Sequence, residues 1–190
     1  MKKRITPRII AGSLKGLRLR SIPGNKTRPI TDRVKENLFN IIGNDIIDSS
    51  FLDSFAGIGS VGIEAYSRGA KFIQFIEKNK KPYSILKKNL ECISNHNAFS
   101  LINTDAFTFL RNFTSKRFEY IFLAPPQYHR MWIRALNLID GNKDILNDDG
   151  WIIVQIDPVE YESIKFLNFI EFDQRKYGST LLVFFYSATI

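Results

Sequence analysis

Between Phe51 and Ile156 the chain repeats one unit, a short apolar run followed by a stretch of helical spacing, and this alternation leaves few folds open to it. FLDSFA (51–56), KFIQFIE (71–77), AFSLIN (98–103), YIFLA (120–124) and WIIVQI (151–156) have the length and the branched and aromatic content of buried strands. Helices are predicted between them: from about Ser60 to Arg68, from about Lys80 to Ser94, over Asp105 to Asn112, and around Trp132, Leu136 and Ile139. Pro82 in the first turn of the second suits a helix start. Strands separated by helices pair in parallel, because each crossover returns the chain to the same end of the sheet. The sequence therefore predicts an α/β architecture, a doubly wound, mostly parallel sheet with helices on both faces. In such sheets ligands lie beyond the carboxyl ends of the strands, near the point where strand order reverses.

The flanks differ from this repeat. FLNFIEFDQRKYGSTLLVFFYS predicts a C-terminal antiparallel hairpin turning around Lys176 to Ser179. Near the N-terminus, RIIAGSLKGLRLR (8–20) predicts a small hairpin turning at Gly12 to Gly16, and IPGNKTRP predicts a loop. A helix then starts at Thr31, with Val34, Leu38, Ile41 and Ile42 on one stripe, Asp32 in the first turn and Gly43 as its stop. The 190 residues thus divide into a basic hairpin extension, 1–30, and one main domain, 31–190.

Charge is distributed unevenly along this plan. From Met1 to Lys35, eleven basic residues face a single acid, Asp32, while the whole chain carries a net charge of only +8. The remainder is slightly acidic, so all the excess positive charge lies in the N-terminal segment. That suits a phosphate backbone, from which each neutralised charge releases a counterion. A solvated tail would not need Ile9, Ile10, Leu14, Leu17 and Leu19 interleaved with its charges, and no amphipathic helix accompanies them for a membrane surface. Arg8, Lys15, Arg18, Arg20, Arg28 and Arg33 are the candidate nucleic-acid contacts. Cys92, the only cysteine, excludes an internal disulfide. No apolar run is long enough for a bilayer and the basic start lacks a signal peptide's apolar stretch, so a cytoplasmic location is expected.

The turn after the first strand reads D-S-F-A-G-I-G-S-V-G, so Gly57, Gly59 and Gly62 form a G-x-G-x-x-G. Glycines there let the backbone turn tightly and lie against a ligand at a helix N-terminus. Alone, the pattern suits a dinucleotide as well as S-adenosylmethionine; nearby charge separates the two. Asp53, four residues before Gly57, would repel a pyrophosphate and attract an ammonium or sulfonium. Glu77, ending the second strand, is placed to accept both hydroxyls of a ribose. Asp105, just after the third, is placed to accept from the exocyclic amine of adenine, although capping its own helix explains it equally well when taken alone. A carboxylate at Asp53, within an apolar strand, is costly to bury without a partner. Together the acids and glycines predict an adenosine with a cationic tail, hence S-adenosylmethionine as cofactor. Phe55, Lys78 and Ala106 adjoin them and belong to the same predicted set.

On these stretches the chain resembles a known family, the bacterial 16S rRNA guanine-N2 methyltransferases of the small ribosomal subunit. The resemblance is carried by RIIAGSLKGLRLR, TRPITDRVKENLFNII, LDSFAGIGSVGIEAYSRGA, FIEKN, NTDAF and YGSTLLVFFY, in the family's order over almost the whole chain. RIIAG followed by TRP-x-TDRV-x-E-x-LFN is far more specific than the glycine motif. The resemblance implies a seven-stranded, Rossmann-like class I methyltransferase fold, S-adenosylmethionine as donor and a guanine of 16S rRNA as acceptor. It also matches Asp53, Gly57, Gly59, Glu77 and Asp105 to cofactor-binding positions.

The chain departs from the family at the end of the fourth strand. Amino-group methyltransferases carry an Asp or Asn there, then two prolines and an aromatic; this sequence has Ala124-Pro125-Pro126-Gln127-Tyr128. The lone pair of an exocyclic guanine amine is delocalised into the ring, so an acceptor at 124 normally holds an N–H and aims the nitrogen. The prolines fix the backbone, so that a carbonyl beside them can accept, and the aromatic stacks on the base. Ala124, Pro125, Pro126 and Tyr128 are the predicted catalytic group, with Ala124 unable to supply its side-chain hydrogen bond. The expected function is N2 methylation of a guanine. Ala124 supports an alternative, a weakened or inactive RNA-binding or ribosome-assembly factor of the same fold. A nicotinamide oxidoreductase would explain neither the basic segment nor the double proline. The expected partner is 16S rRNA or a small-subunit assembly intermediate, for a monomer with no membrane and no metal. His96 and His129 lack metal-ligand spacing, Cys92 is expected to pack within its helix, and Trp132 and Trp151 to sit in the core.

Overall fold

The computed structural model describes residues 6–22, 30–114 and 117–188. Seven strands form one sheet: β1 (Ser50–Asp53), β2 (Phe72–Ile76), β3 (Phe99–Ile102), β4 (Phe118–Leu123), β5 (Leu146–Ile156), β6 (Phe169–Tyr177) and β7 (Thr180–Ser187). Their order is β3-β2-β1-β4-β5-β7-β6. The first five pair in parallel, and β7 runs antiparallel between β5 and β6. The doubly wound plan and the C-terminal hairpin are as the sequence predicts, with Gly178 at the hairpin's turn in the left-handed region. Strand order reverses between β1 and β4, which puts the ligand crevice at their carboxyl ends.

Helices α1 (Asp32–Ile42), α2 (Ser60–Ser67) and α3 (Lys80–Leu90) cover one face, and α4 (Ala106–Asn112) and α5 (Met131–Asp140) the other. α1 starts one residue later than predicted, with Thr31 as its N-cap, and stops at Gly43 as predicted. The hydroxyl of Thr31 accepts from the Val34 amide, Asp32 sits in the first turn, and Gly43 at φ 66° ends the helix. Strand alternation divides the core. Phe51, Phe75, Tyr120, Phe122 and Ile153 pack toward α1–α3, while Leu52, Ile76, Ile121, Leu123 and Val154 pack toward α4 and α5. Trp132 is buried as expected. Cys92 is not packed within a helix: α3 ends at Leu90, and the following turn buries Ile93 while leaving Cys92 exposed.

The N-terminal segment docks on this domain. Its hairpin is reduced to one antiparallel bridge, Arg8 to Arg18, flanked by backbone bonds from Ile9 to Leu17, 2.9 Å, and from Leu19 to Pro7, 2.8 Å. Ile9 and Leu19 point inward and join the core, so the apolar residues among the charges are anchors. Glu64 of α2, fully buried, accepts from the Ile10 and Ala11 amides at 2.8 and 3.0 Å. Lys35 holds the same junction: although it belongs to the basic run, it is buried, 3.3 Å from Glu64, and donates to the Arg8 carbonyl. Burial pushes its amine below the usual lysine range against the pull of Glu64.

Candidate active site

A cavity of about 1100 Å³ opens at the carboxyl ends of β1, β2 and β4. After Asp53 the chain must leave the sheet and enter α2 within six residues. It does so through Gly57 at φ 56° and Gly59 at φ 84°. A β-carbon on Gly59 would lie 2.2 Å from Leu86 Cδ1, and one on Gly62 would lie 2.3 Å from Phe75 Cε1, so α2 approaches α3 and β2 only because both are glycine. At Gly57 a β-carbon would point into open space; there the positive φ selects glycine.

The predicted acids converge on this cavity. Asp53 is 2% exposed and accepts one backbone bond, from Gly62 N–H at 3.1 Å. Burial, with a smaller push from Glu77, raises its carboxyl to about 7 against the Gly62 bond. Glu77 clamps the loop with both oxygens, accepting from the Gly57 amide at 2.9 Å and the Asn79 amide at 2.6 Å. Asp105 caps α4 through the Phe107 and Thr108 amides and meets Lys78 Nζ at 3.1 Å. These donors hold its carboxyl below the usual range although partial desolvation acts the other way. Capping and cavity lining thus coexist at Asp105. Phe55, Lys78 and Ala106 also line the cavity.

The opposite wall is the predicted catalytic segment. Ala124, Pro125, Pro126 and Tyr128 all border the cavity. After the prolines the loop contains two non-glycine residues in the left-handed region, Tyr128 at φ 68° and Arg130 at φ 51°. The strap Asp157–Glu162 holds them: the Tyr128 amide donates to Glu160 at 2.5 Å, its hydroxyl to Asp157 at 3.0 Å, and Arg130 pairs with Glu162. Tyr128 is 66% exposed at the cavity rim.

Several lining residues escaped the sequence reading. Phe107 packs edge-on to Phe55 at 5.8 Å beneath the Arg134 guanidinium, which lies 4.2 Å from its ring centre. Its place in NTDAF, two residues after Asp105, was the available signal. Ser54 and Gln155 also line the cavity, as do Thr6, Pro7, Ser21 and Ile22 from the N-terminal segment. Of the predicted nucleic-acid contacts, Arg8, Lys15, Arg18, Arg20 and Arg33 are exposed, Arg8 being paired to Asp32 at 2.9 Å. Arg28 lies outside the described residues. Among the described residues no group of His, Cys, Asp or Glu could hold a metal, and no helix is long and apolar enough to cross a membrane.

Known proteins share both the sequence and this fold. The chain is 39% identical over 150 residues to the ribosomal RNA small subunit methyltransferase D of Haemophilus influenzae, covering 75% of this chain and 78% of that protein. The protein of that name in Escherichia coli is 35% identical over 145 residues, 76% of this chain and 69% of its own. The solved structure of the Escherichia coli yhhF protein matches with a TM-score of 0.84 and 28% identity, over 95% of this chain and 97% of that one. The family model described as Conserved hypothetical protein 95 matches residues 7–186, and the chain belongs to that family.

Proposed function

We infer that this chain is an S-adenosylmethionine-dependent rRNA methyltransferase that methylates the exocyclic N2 of a guanine in 16S rRNA. One observation carries the reading: the acids after three successive strands and the Gly57–Gly59 turn share one cavity with the Pro125-Pro126 exit of β4. The relatives named ribosomal RNA small subunit methyltransferase D support the reaction class.

The cavity suits such a donor. Asp53 is a buried carboxyl with a single backbone donor, raised by burial to about 7. An ammonium beside it favours the ionised form. Glu77, with each oxygen already bound to one amide, retains lone pairs for two ribose hydroxyls and is fixed in direction by those amides. Asp105, oriented by its cap, would accept from the adenine amine. When bound, S-adenosylmethionine supplies a methyl group made electrophilic by the sulfonium. Pro125 and Pro126 hold the strand exit rigid and would fix the approach of the target nitrogen, and Tyr128 would offer its ring at the rim to a base flipped out of its stack. Arg8, Lys15, Arg18, Arg20 and Arg33 would contact the phosphates.

A non-catalytic assembly factor finds its support in Ala124 alone, and the intact acid-and-glycine constellation favours the enzyme. The decisive assay supplies radiolabelled methyl donor and under-methylated small-subunit particles, with mass spectrometry of the rRNA. Label in one guanine as N2-methylguanine is the expected result. Donor binding by calorimetry without label above background would sink the enzyme reading.

A further inference from the structure

Four buried side-chain polar atoms lack a hydrogen-bond partner among the described residues: Ser54 Oγ, Trp132 Nε1, Gln155 Oε1 and Glu160 Oε2. A buried, unpaired amide oxygen is costly, so one beside a reaction cavity invites a ligand explanation. Gln155 is such a case: it lines the cavity that holds Ala124. The sheet register sets the two side by side. Phe122 pairs with Ile153 and Leu123 with Val154, and continuing that register one residue past the end of β4 puts Ala124 beside Gln155. Strands in a sheet lie about 4.8 Å apart. Phe122 and Ile153 belong to the core on the α1–α3 face; two residues on, alternation turns Ala124 and Gln155 to that same face, where Ala124 packs. Asp53, whose strand partner is Phe122, faces that way too.

We propose that Gln155 Oε1 is the hydrogen-bond acceptor for the target amine, taking over from the neighbouring strand the task that Ala124 cannot perform. This rests on the methyltransferase reading and names a residue for its transfer step. Gln155 accepts one N2–H, which turns the nitrogen lone pair toward the methyl carbon. The N2 lone pair forms the N–C bond, the C–S electron pair stays with sulfur as a neutral thioether, and the second N2 proton leaves to water. Gln155 accepts a hydrogen bond throughout and never the proton, so it is a positioning contact on the reacting nitrogen. The small side chain of Ala124 leaves the amide unobstructed on its approach, whereas a carboxylate at 124 would compete with it for the same N–H.

The test uses the full chain with under-methylated small-subunit particles and radiolabelled donor. Gln155→Leu is expected to lower kcat about 10- to 100-fold, in the range for losing one aligned polar contact to the reacting centre. The donor Kd should remain within twofold, and Tm should hold or rise because an unpaired buried polar atom has been removed. Gln155→Glu, which keeps an acceptor oxygen, should retain turnover within about fivefold. Adding Ala124→Asp to Gln155→Leu should recover at least tenfold. A Gln155→Leu enzyme turning over within twofold of the unaltered chain would overturn the assignment. So would a variant whose donor binding or Tm falls together with kcat, since that marks a packing role. Absence of label from the unaltered chain overturns the reading of the reaction itself, and the assignment with it, and is distinguishable because no variant is needed to see it.

Discussion

Asp53 lies at the end of the apolar strand β1, on the cavity wall. A carboxyl buried at the end of an apolar strand, bonded by one amide, is displaced from its ordinary value of 3.8 to about 7. In that window the folded, ligand-free chain holds a proton that the unfolded chain has lost, so stability falls as pH rises from about 4 through about 7. Asp53→Asn keeps an acceptor for Gly62 N–H and removes the ionisation. Removing the ionisation is worth about 4 kcal/mol at pH 8, and burying the unpaired amide NH2 costs about 2 kcal/mol, so the free protein should gain about 2 kcal/mol there, roughly 4–8 °C in Tm, with a flatter decline of stability between pH 4 and 7. The same change deprives a cationic donor of its counter-charge, and calorimetry should show binding weakened about 10- to 100-fold at pH 8. In the unaltered chain the donor affinity should climb with pH toward a plateau above 7, as ionised Asp53 becomes available, and the variant should lose that climb. A variant that melts lower at pH 8 and binds donor as before would contradict the assignment of Asp53 as the site's tuned charge.

The N-terminal segment and the β5 strand behave as elements rather than as tail and scaffold. Gly12, at φ 82°, lies so close to the end of α2 that a β-carbon there would stand 1.7 Å from the Ser67 carbonyl oxygen. Around it, the Ser13 amide bonds that carbonyl at 2.7 Å and the Leu14 amide bonds Ser67 Oγ at 2.9 Å. Gly12→Ala must lift the segment, loosening Ile9 and Leu19 in the core. A loss of about 2–3 kcal/mol is expected, roughly 4–12 °C in Tm, with faster hydrogen exchange at the Ile9 and Ser13 amides. Unchanged Tm and exchange would show that the contact is not an anchor. These contacts also mark the limit of sequence reading. The strand–helix alternation was legible because periodicity is local, and so were Asp53, Gly57, Gly59 and Glu77, which stand at strand ends where a doubly wound sheet places ligands. Gln155 was not, because its relevance arises only when β5 pairs beside β4 and the register runs on to Ala124. Burial of Lys35 was hidden in a run of basic residues, and Cys92 was misplaced because α3 stops at Leu90 without a glycine or proline. Thr6 and Ile22 line the cavity through docking that no local pattern announces.

For the molecule as a whole, charge is sorted by role. The cavity interior carries Asp53, Glu77 and Asp105, which favour a cation and repel phosphate, while the docked N-terminal segment presents Arg18 and Arg20 on either side of the buried Leu19. Because that segment also forms part of the cavity wall, RNA held on its exposed face would lie at the mouth of the cavity. Electrostatics then predict a separation between two affinities. Replacing Arg8, Arg18 and Arg20 by Gln should weaken RNA binding for all sequences alike, because phosphates carry no base identity. Each lost phosphate contact reduces the slope of log K against log salt by about 0.7 on single strands and about 0.9 on duplex, so three full contacts would remove about 2–3. Arg8 is half-committed to Asp32 in an exposed pair that salt screens, so the observed reduction should fall nearer 1.5–2.5. The donor Kd should not move, since none of the three side chains lines the cavity. Filter binding of small-subunit rRNA across 50–300 mM salt, with calorimetry for the donor, measures both. A slope left unchanged would remove the segment from the RNA interface. A slope reduced together with donor affinity would mean instead that the charges hold the cavity wall in place, and that the sorting of roles across the molecule is not as the exposed arginines suggest.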